Sequence, residues 1–205
     1  MLPHLKTERY EGKTALFLAV ETENEEIVRM ILEKYSPMTS FNDKHDGKNP
    51  LILAVEKENK EIVQMILTKY TLVTILNDKY EGKTALILAV EKENEKIVQM
   101  VLEKHGSLTL INDKYEGKTA LFLAVEKENE EIAKMILEKY TPMTLLNDKH
   151  DGNTALILAI EKENEEIVTM LLENNATVSD TIVRYKTALN MATKRENEKI
   201  VEMLR

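Results

Sequence analysis

No cysteine occurs anywhere in the 205 residues. Disulfides, thiol nucleophiles and thiolate zinc sites are therefore excluded, and a reducing compartment is compatible. A basic excess is missing too. The net charge is −8, which speaks against proteins that displace counterions from a nucleic-acid duplex and against docking on anionic membranes. No apolar run approaches the roughly 20 residues that cross a bilayer. The opening MLPHLKTERYEG has no apolar core of a secretory signal. No glycine-rich phosphate loop is present. With 43% hydrophobic and 31% charged residues, a folded, soluble, intracellular protein is expected, in the cytoplasm by default.

What is present is repetition. Thr14-Ala15-Leu16 returns as Asn49-Pro50-Leu51, Thr84-Ala85-Leu86, Thr119-Ala120-Leu121, Thr154-Ala155-Leu156 and Thr187-Ala188-Leu189, at a spacing of 35 four times and then 33. Asn24, Asn59, Asn94, Asn129, Asn164 and Asn197 keep the same beat, as do Met30, Met65, Met100, Met135, Met170 and Met203. Segments 78–112 and 113–147 are identical at 25 of 35 positions. Recent duplication or deliberate design accounts for such identity, and a period of this length marks a stacked array.

Each unit reads as two short helices and a finger. In the third, Thr84 is placed to cap a first helix whose apolar face is Leu86, Leu88, Ala89 and Val90. Glu91-Lys92-Glu93 ends it. Asn94 caps the second helix, and Glu95 sits where the helix dipole favours negative charge. Ile97, Val98, Val101 and Leu102 form one helical stripe, with Met100 widening it as core filling. Helices of two or three turns cannot hide such faces alone, and stacking on the next unit does so. Between units, Val73-Thr74-Ile75-Leu76-Asn77 is β-prone. Asp78-Lys79-Tyr80-Glu81-Gly82 is turn chemistry, with Gly82 able to take positive φ. A hairpin finger is expected.

These residues resemble the ankyrin repeat. The family pattern D-x-x-G-x-T-P-L-H-x-A-A…E-I-V-x-L-L-L is similar to Asp78…Gly82-Lys83-Thr84-Ala85-Leu86-Ile87-Leu88-Ala89-Val90…Lys96-Ile97-Val98-Gln99-Met100-Val101-Leu102, and the match recurs over nearly the whole chain. The resemblance implies an all-α repeat solenoid: a helix-turn-helix stack with projecting β-hairpin fingers, binding partners along the fingers and the inner helices. Four positions depart from the pattern. Phe17, Ile52, Ile87, Phe122, Ile157 and Asn190 replace the family histidine, so packing must substitute for its hydrogen bond. Proline at the first helical position survives only as Pro50. Glu23, Glu58, Glu93, Glu128, Glu163 and Glu196 replace the glycine between the helices. A left-handed Glu costs about 1 kcal/mol, so an altered turn is expected. Tyr35, Tyr70, His105 and Tyr140 replace the glycine after the second helix, where the helix runs on or the loop changes. The spacing also departs. Met38 to Gly47 is nine steps and Val178 to Tyr185 seven. The two extra residues fall in fingers two to five, where one per strand would lengthen the finger by about 3.3 Å.

Six repeats in one array over residues 1–205 are expected, at approximately 8–42, 43–77, 78–112, 113–147, 148–180 and 181–205. Repeat six turns polar at Asn190, Thr193, Lys194 and Arg195, as a terminal repeat should. The sequence then stops at Met203-Leu204-Arg205, as a short cap or as a piece of a longer protein.

Two ladders are candidate binding surfaces. The finger tips carry Tyr10, His45, Tyr80, Tyr115 and His150. A cation precedes each (Arg9, Lys44, Lys79, Lys114, Lys149) and an acid follows. Spaced by about 10 Å per repeat, these rings suit recognition or, as the alternative, pack on one another. The inner-helix ends carry Glu56-Lys57, Glu91-Lys92, Glu126-Lys127 and Glu161-Lys162, which the resemblance places on a concave groove; solubility is the competing role. No catalytic constellation emerges. The histidines are His4, His45, His105 and His150, and His45 and His150 lie three repeats apart, too far for one metal. The expectation is a monomeric, non-enzymatic protein-interaction module with no cofactor, a protein partner, and no nucleic-acid or membrane partner. The alternative is a structural spacer or a self-assembling or designed repeat scaffold.

Overall fold

The computed structural model describes residues 9–34, 44–69, 74–104, 112–139, 146–174, 189–190, 192–194 and 197–204. Twelve helices have both ends among the described residues, and residues 189–190 and 192–194 are helical as well. The twelve are α1 (Ala15–Glu21), α2 (Glu25–Lys34), α3 (Pro50–Glu56), α4 (Lys60–Lys69), α5 (Thr74–Asn77), α6 (Ala85–Glu91), α7 (Glu95–Lys104), α8 (Ala120–Glu126), α9 (Glu130–Lys139), α10 (Ala155–Glu161), α11 (Glu165–Glu173) and α12 (Glu198–Met203). No strand occurs among the described residues. The architecture is an all-α repeat solenoid of helix–turn–helix units, as the sequence implies.

The chain forms two compact units, Met1–Gly106 and Ser107–Arg205. In the first, α1 packs on α2, α3 on α4 and α6 on α7. The first helices line up α1–α3–α6 and the second helices α2–α4–α7. In the second, α8 pairs with α9 and α10 with α11, α8 lies on α10, and α9–α11–α12 form a row.

The seven-residue helices start at polar caps that are themselves buried. The side chains of Thr14, Asn49, Thr84, Thr119 and Thr154 accept from the N–H groups of Phe17, Ile52, Ile87, Phe122 and Ile157, at 2.7–3.4 Å. The capped residue stands where the family has histidine, and it is at most 6% exposed in all five cases; packing does substitute. The expected first-helix face needs one correction. Ile87 is buried and Leu88 only half-buried, and α6 packs on α3, α5 and α7.

The link between paired helices also differs from expectation. Glu23, Glu58, Glu93, Glu128 and Glu163 all take φ of 54–59°, so the left-handed turn is retained although glycine is gone. Its bonding explains why. Glu58 N–H donates to Val55 O at 3.0 Å and Asn59 N–H to Ala54 O at 3.1 Å, the paired bonds of a Schellman helix end. Asn59 then caps α4 by accepting from Ile62 N–H at 2.9 Å. One residue closes one helix and opens the next, leaving no room for a different turn.

The β-prone finger segment is not a strand. Thr74–Asn77 forms the helical turn α5 against α6, and Ile75 and Leu76 are buried. Residues near the insertion serve as a core plug here, not as longer strands. Tyr35, Tyr70, His105 and Tyr140 lie outside the described residues. The methionine ladder is displaced from the core. Met65, Met100, Met135, Met170 and Met203 are half-buried and Met30 is 54% exposed. At the helical angle it occupies, each methionine flanks the buried stripe and does not lie within it.

Candidate functional site

Each finger is a two-residue turn closed by reciprocal backbone bonds. Tyr10 pairs with Lys13, His45 with Lys48, Tyr80 with Lys83, Tyr115 with Lys118 and His150 with Asn153, at 2.9–3.0 Å. Both central residues have positive φ: 49–52° at Glu11, Asp46, Glu81, Glu116 and Asp151, and 77–83° at the following glycines. That is the signature of a type I′ hairpin turn. The first central residue of each turn is exposed. The side chains of Asp46 and Asp151 are 85% and 90% exposed.

Tyr10 is 69% exposed, but the rings of the following turns are half-buried along the ladder. His45 meets Phe17 edge-on at 5.4 Å between centroids and lies over Gly12, where an added Cβ would be 3.4 Å from its Nδ1. His150 repeats this on Phe122 at 5.2 Å and over Gly117 at 3.0 Å. Positive φ favours glycine at both positions, and at Gly117 the ring also comes close enough that a Cβ would force it to give way. Tyr80 lies over Gly47, with Lys48 Nζ 4.6 Å from its ring centroid. Its hydroxyl donates to the Glu81 carboxylate, a bond that raises the phenol above its ordinary value. The preceding cations are engaged as well: Lys44 pairs with Asp78 at 2.9 Å and Lys114 with Asp148 at 2.7 Å. Asp78 also accepts from Asn49 Nδ2 at 3.0 Å, and that amide donates to Ile75 O at 3.3 Å.

The helix-end ladder is equally tied down. Lys13, Lys48, Lys83 and Lys118 reach eight residues ahead to Glu21, Glu56, Glu91 and Glu126 at 2.7–2.8 Å. Lys48 is raised above its ordinary value by its bond to Glu56, and Glu21 is lowered by Lys13. The left-handed glutamates reach into the following repeat. Glu23 pairs with Lys57 at 3.5 Å, Glu58 with Lys92 at 3.3 Å and Glu128 with Lys162 at 2.9 Å. Glu58 also accepts from Asn94 Nδ2 at 3.1 Å. Asn94 and Lys92 together hold its carboxyl below the ordinary value.

A test of this clasp follows. Glu58→Gly is expected to be more stable than Glu58→Ala by about 1 kcal/mol, because only glycine removes the left-handed penalty. Because the Glu58 carboxyl is lowered in the folded protein, its contribution is present above the ordinary value of 4.5 and fades as pH falls through the lowered value. Urea midpoints taken down an acid series should therefore fall more steeply for the parent than for either variant.

Of the residues singled out by sequence, the structure ties Lys44, His45, Tyr80, Lys114, His150, Glu91, Lys92 and Glu126 into the scaffold by the contacts above. Tyr115 is half-buried, while Lys79, Lys149 and Lys127 are exposed. Sequence reasoning noted the acid after each ring but did not count it as a site residue, and it missed the lysine–glutamate pairs eight residues apart. The second signal was legible: Lys13…Glu21, Lys48…Glu56, Lys83…Glu91 and Lys118…Glu126 repeat in register. Among the described residues no three His, Asp or Glu side chains converge as a metal site. No helix of the described residues is long and apolar enough to cross a membrane.

The model for "Ankyrin repeats (3 copies)" matches residues 2–75, 72–145 and 141–205. Comparison with curated proteins finds no match. Among solved structures, the ankyrin repeat domain of Bcl-3, a member of the IkappaB protein family, is similar at 26% identity and a TM-score of 0.71, over 94% of this chain and 85% of that one. The ankyrin repeat protein EF0377 is similar in fold at 24% and 0.71, over 93% and 96%. A chain from the complex of the Bdellovibrio bacteriovorus predatory endopeptidase Bd0816 with the immunity protein Bd3460 is similar at 25% and 0.65, over 93% and 96%. With the repeat model covering almost every residue, the chain belongs to the ankyrin-repeat family.

Proposed function

We propose that this chain is a protein-interaction module: six repeats on a 35-residue period, one array over residues 1–205, engaging a protein partner through its turn tips and inner-helix ends. The observation that carries this reading is the division of labour in the turns. Ring, lysine and glycine hold neighbouring turns together, and beside them the side chains of Lys79, Glu81, Lys149 and Asp151 are exposed on a fixed backbone, with Glu81 bonded to Tyr80 and Asp151 3.4 Å from His150 Nε2. Rigid presentation lowers the entropy lost on binding. Bcl-3 and the Bd0816–Bd3460 complex lend support from the same fold. The half-buried rings of His45, Tyr80, Tyr115 and His150, with Lys44, Lys114, Glu91, Lys92, Glu126 and Lys127, would form the inner part of the surface. The working form is a single intracellular chain, with no enzymatic activity, no cofactor, and no nucleic-acid or membrane partner. The near-identity of segments 78–112 and 113–147 favours the second reading, a spacer or designed scaffold.

The test is a cross-linking pulldown from source-cell lysate. The control carries Lys79→Glu, Glu81→Lys, Lys149→Glu and Asp151→Lys, which exchanges charges at exposed sites and keeps the net charge. A partner captured by the parent and lost by the equally stable control is the expected result. Equal capture by both would remove the turns from the interface, and no capture would favour the spacer.

A further inference from the structure

Between α2 and α4 lies an open groove of about 370 Å³, lined by second-helix residues alone. Its size falls in the range of small-molecule sites. Both walls are packed helices of the unit Met1–Gly106. One residue sets this groove apart. Near their C-terminal ends α2, α7, α9 and α11 carry Glu33, Glu103, Glu138 and Glu173, and at that place α4 carries the shorter Thr68. The Gln64 amide donates to the Thr68 hydroxyl at 3.0 Å, so these two polar groups satisfy each other along α4. Buried Leu32 and half-buried Met65 supply the apolar part of the lining. At the rim stand Arg29, Lys69 and Glu33. Neither Arg29 nor Lys69 has an ion-pair partner among the described residues, whereas Lys13, Lys48, Lys83 and Lys118 each hold a carboxylate. In a chain of net charge −8, α4 has more bases than acids. In α2, α9, α11 and α12 acids prevail, and in α7 the two are equal.

We propose that this groove binds a small amphiphilic monocarboxylate, its alkyl chain lying on Leu32 and Met65 and its carboxylate drawn to Arg29 and Lys69. Charge complementarity selects the head group. Two unpartnered cations against one acid leave the rim with a single positive excess, which suits one negative charge. Length selects a small molecule. The lining runs over residues 29–33 and 64–69, little more than one turn of each helix, whereas a docked peptide helix needs anchors over two turns or more. The groove between α11 and α12 provides the contrast. Glu165, Glu166 and Glu173 line it, and its Lys199 is paired with Glu165 at 2.6 Å, so an anion is repelled there although Met170 offers the same thioether. The α2–α4 site shares no residue with the turns or the first-helix ends, and its ligand is separate from the partner held there.

Titration of the full chain with octanoate, followed by NMR of the methionine methyl groups, tests this. The Met65 methyl should shift and saturate while the Met170 methyl stays in place. Octan-1-ol, with the same chain and no charge, should bind about threefold more weakly, as should octanoate to Arg29→Gln. Thr68→Glu, which installs the residue of the other second helices at an exposed position, fills the groove with an acid and should weaken octanoate about tenfold or more. Arg29 is exposed as well, so its variant keeps the fold whether or not Thr68→Glu does. A Met65 methyl that does not saturate would overturn the proposal. So would equal shifts along the whole methionine ladder, which would mean unspecific adsorption. Octylamine binding as well as octanoate, or an Arg29→Gln variant that binds octanoate like the parent, would overturn the assigned head group and with it the proposal.

Discussion

Ile97→Ala is expected to destabilise the protein by about 2–5 kcal/mol, the range for truncating a completely buried aliphatic side chain. Met100→Ala, three residues further along α7, should cost only about 1 kcal/mol. The contrast comes from position. Ile97 has no exposed surface and belongs to the stripe between α7 and its neighbours, so its removal leaves a cavity in a joint. Met100 is half-buried beside that stripe, and water already reaches the space it would vacate. Urea unfolding of the two variants in parallel checks this. Equal losses would return the methionine ladder to the core, where its spacing alone had placed it.

Asn49→Ala should cost about 2–3 kcal/mol, more than the roughly 1 kcal/mol of an ordinary helix cap. Asn49 is completely buried and makes three bonds of different kinds. Its oxygen caps α3 by accepting from Ile52 N–H at 2.7 Å, and its amide donates to Ile75 O and to the Asp78 carboxylate. Alanine would strand the N–H of Ile52 and the Ile75 carbonyl, and would leave Asp78 with Lys44 alone. Asn49→Thr, which installs the residue used at the other caps, keeps the cap and loses the two donated bonds. It should fall between parent and Asn49→Ala. A threonine variant no better than alanine would show that the bonds across to Ile75 and Asp78 carry the effect.

The legible part of the fold was the part fixed by period and cap chemistry. Thr84 and Asn94 could be assigned as caps because their side-chain oxygens suit the free N–H groups of a first turn, and both do so. The turn at Gly82 was legible for the same kind of reason. Val73-Thr74-Ile75-Leu76-Asn77 misled because β-branched residues signal burial on a packed surface more than a backbone state; Ile75 and Leu76 gain that burial within a helical turn. Glu58 misled because intrinsic preference argues against positive φ. The Schellman bonds and the following Asn59 cap fix the backbone regardless, and the carboxylate is then spent on Lys92 and Asn94. At the candidate site, sequence placed the rings and lysines on the turns correctly. It left open whether they serve recognition or pack along the ladder, because the packing depends on the glycine of the preceding turn, 33 residues earlier for His45 and Gly12.

Amide hydrogen exchange of the captured complex against the free chain tests most directly the claim that the turns carry the interface. New protection is predicted at the turn residues 79–83 and 149–153 and at the helix ends around Lys92 and Lys127, with the outer surfaces of α4, α7 and α9 unchanged. Protection confined to those outer surfaces, with the turns exchanging as they do in the free chain, would contradict it.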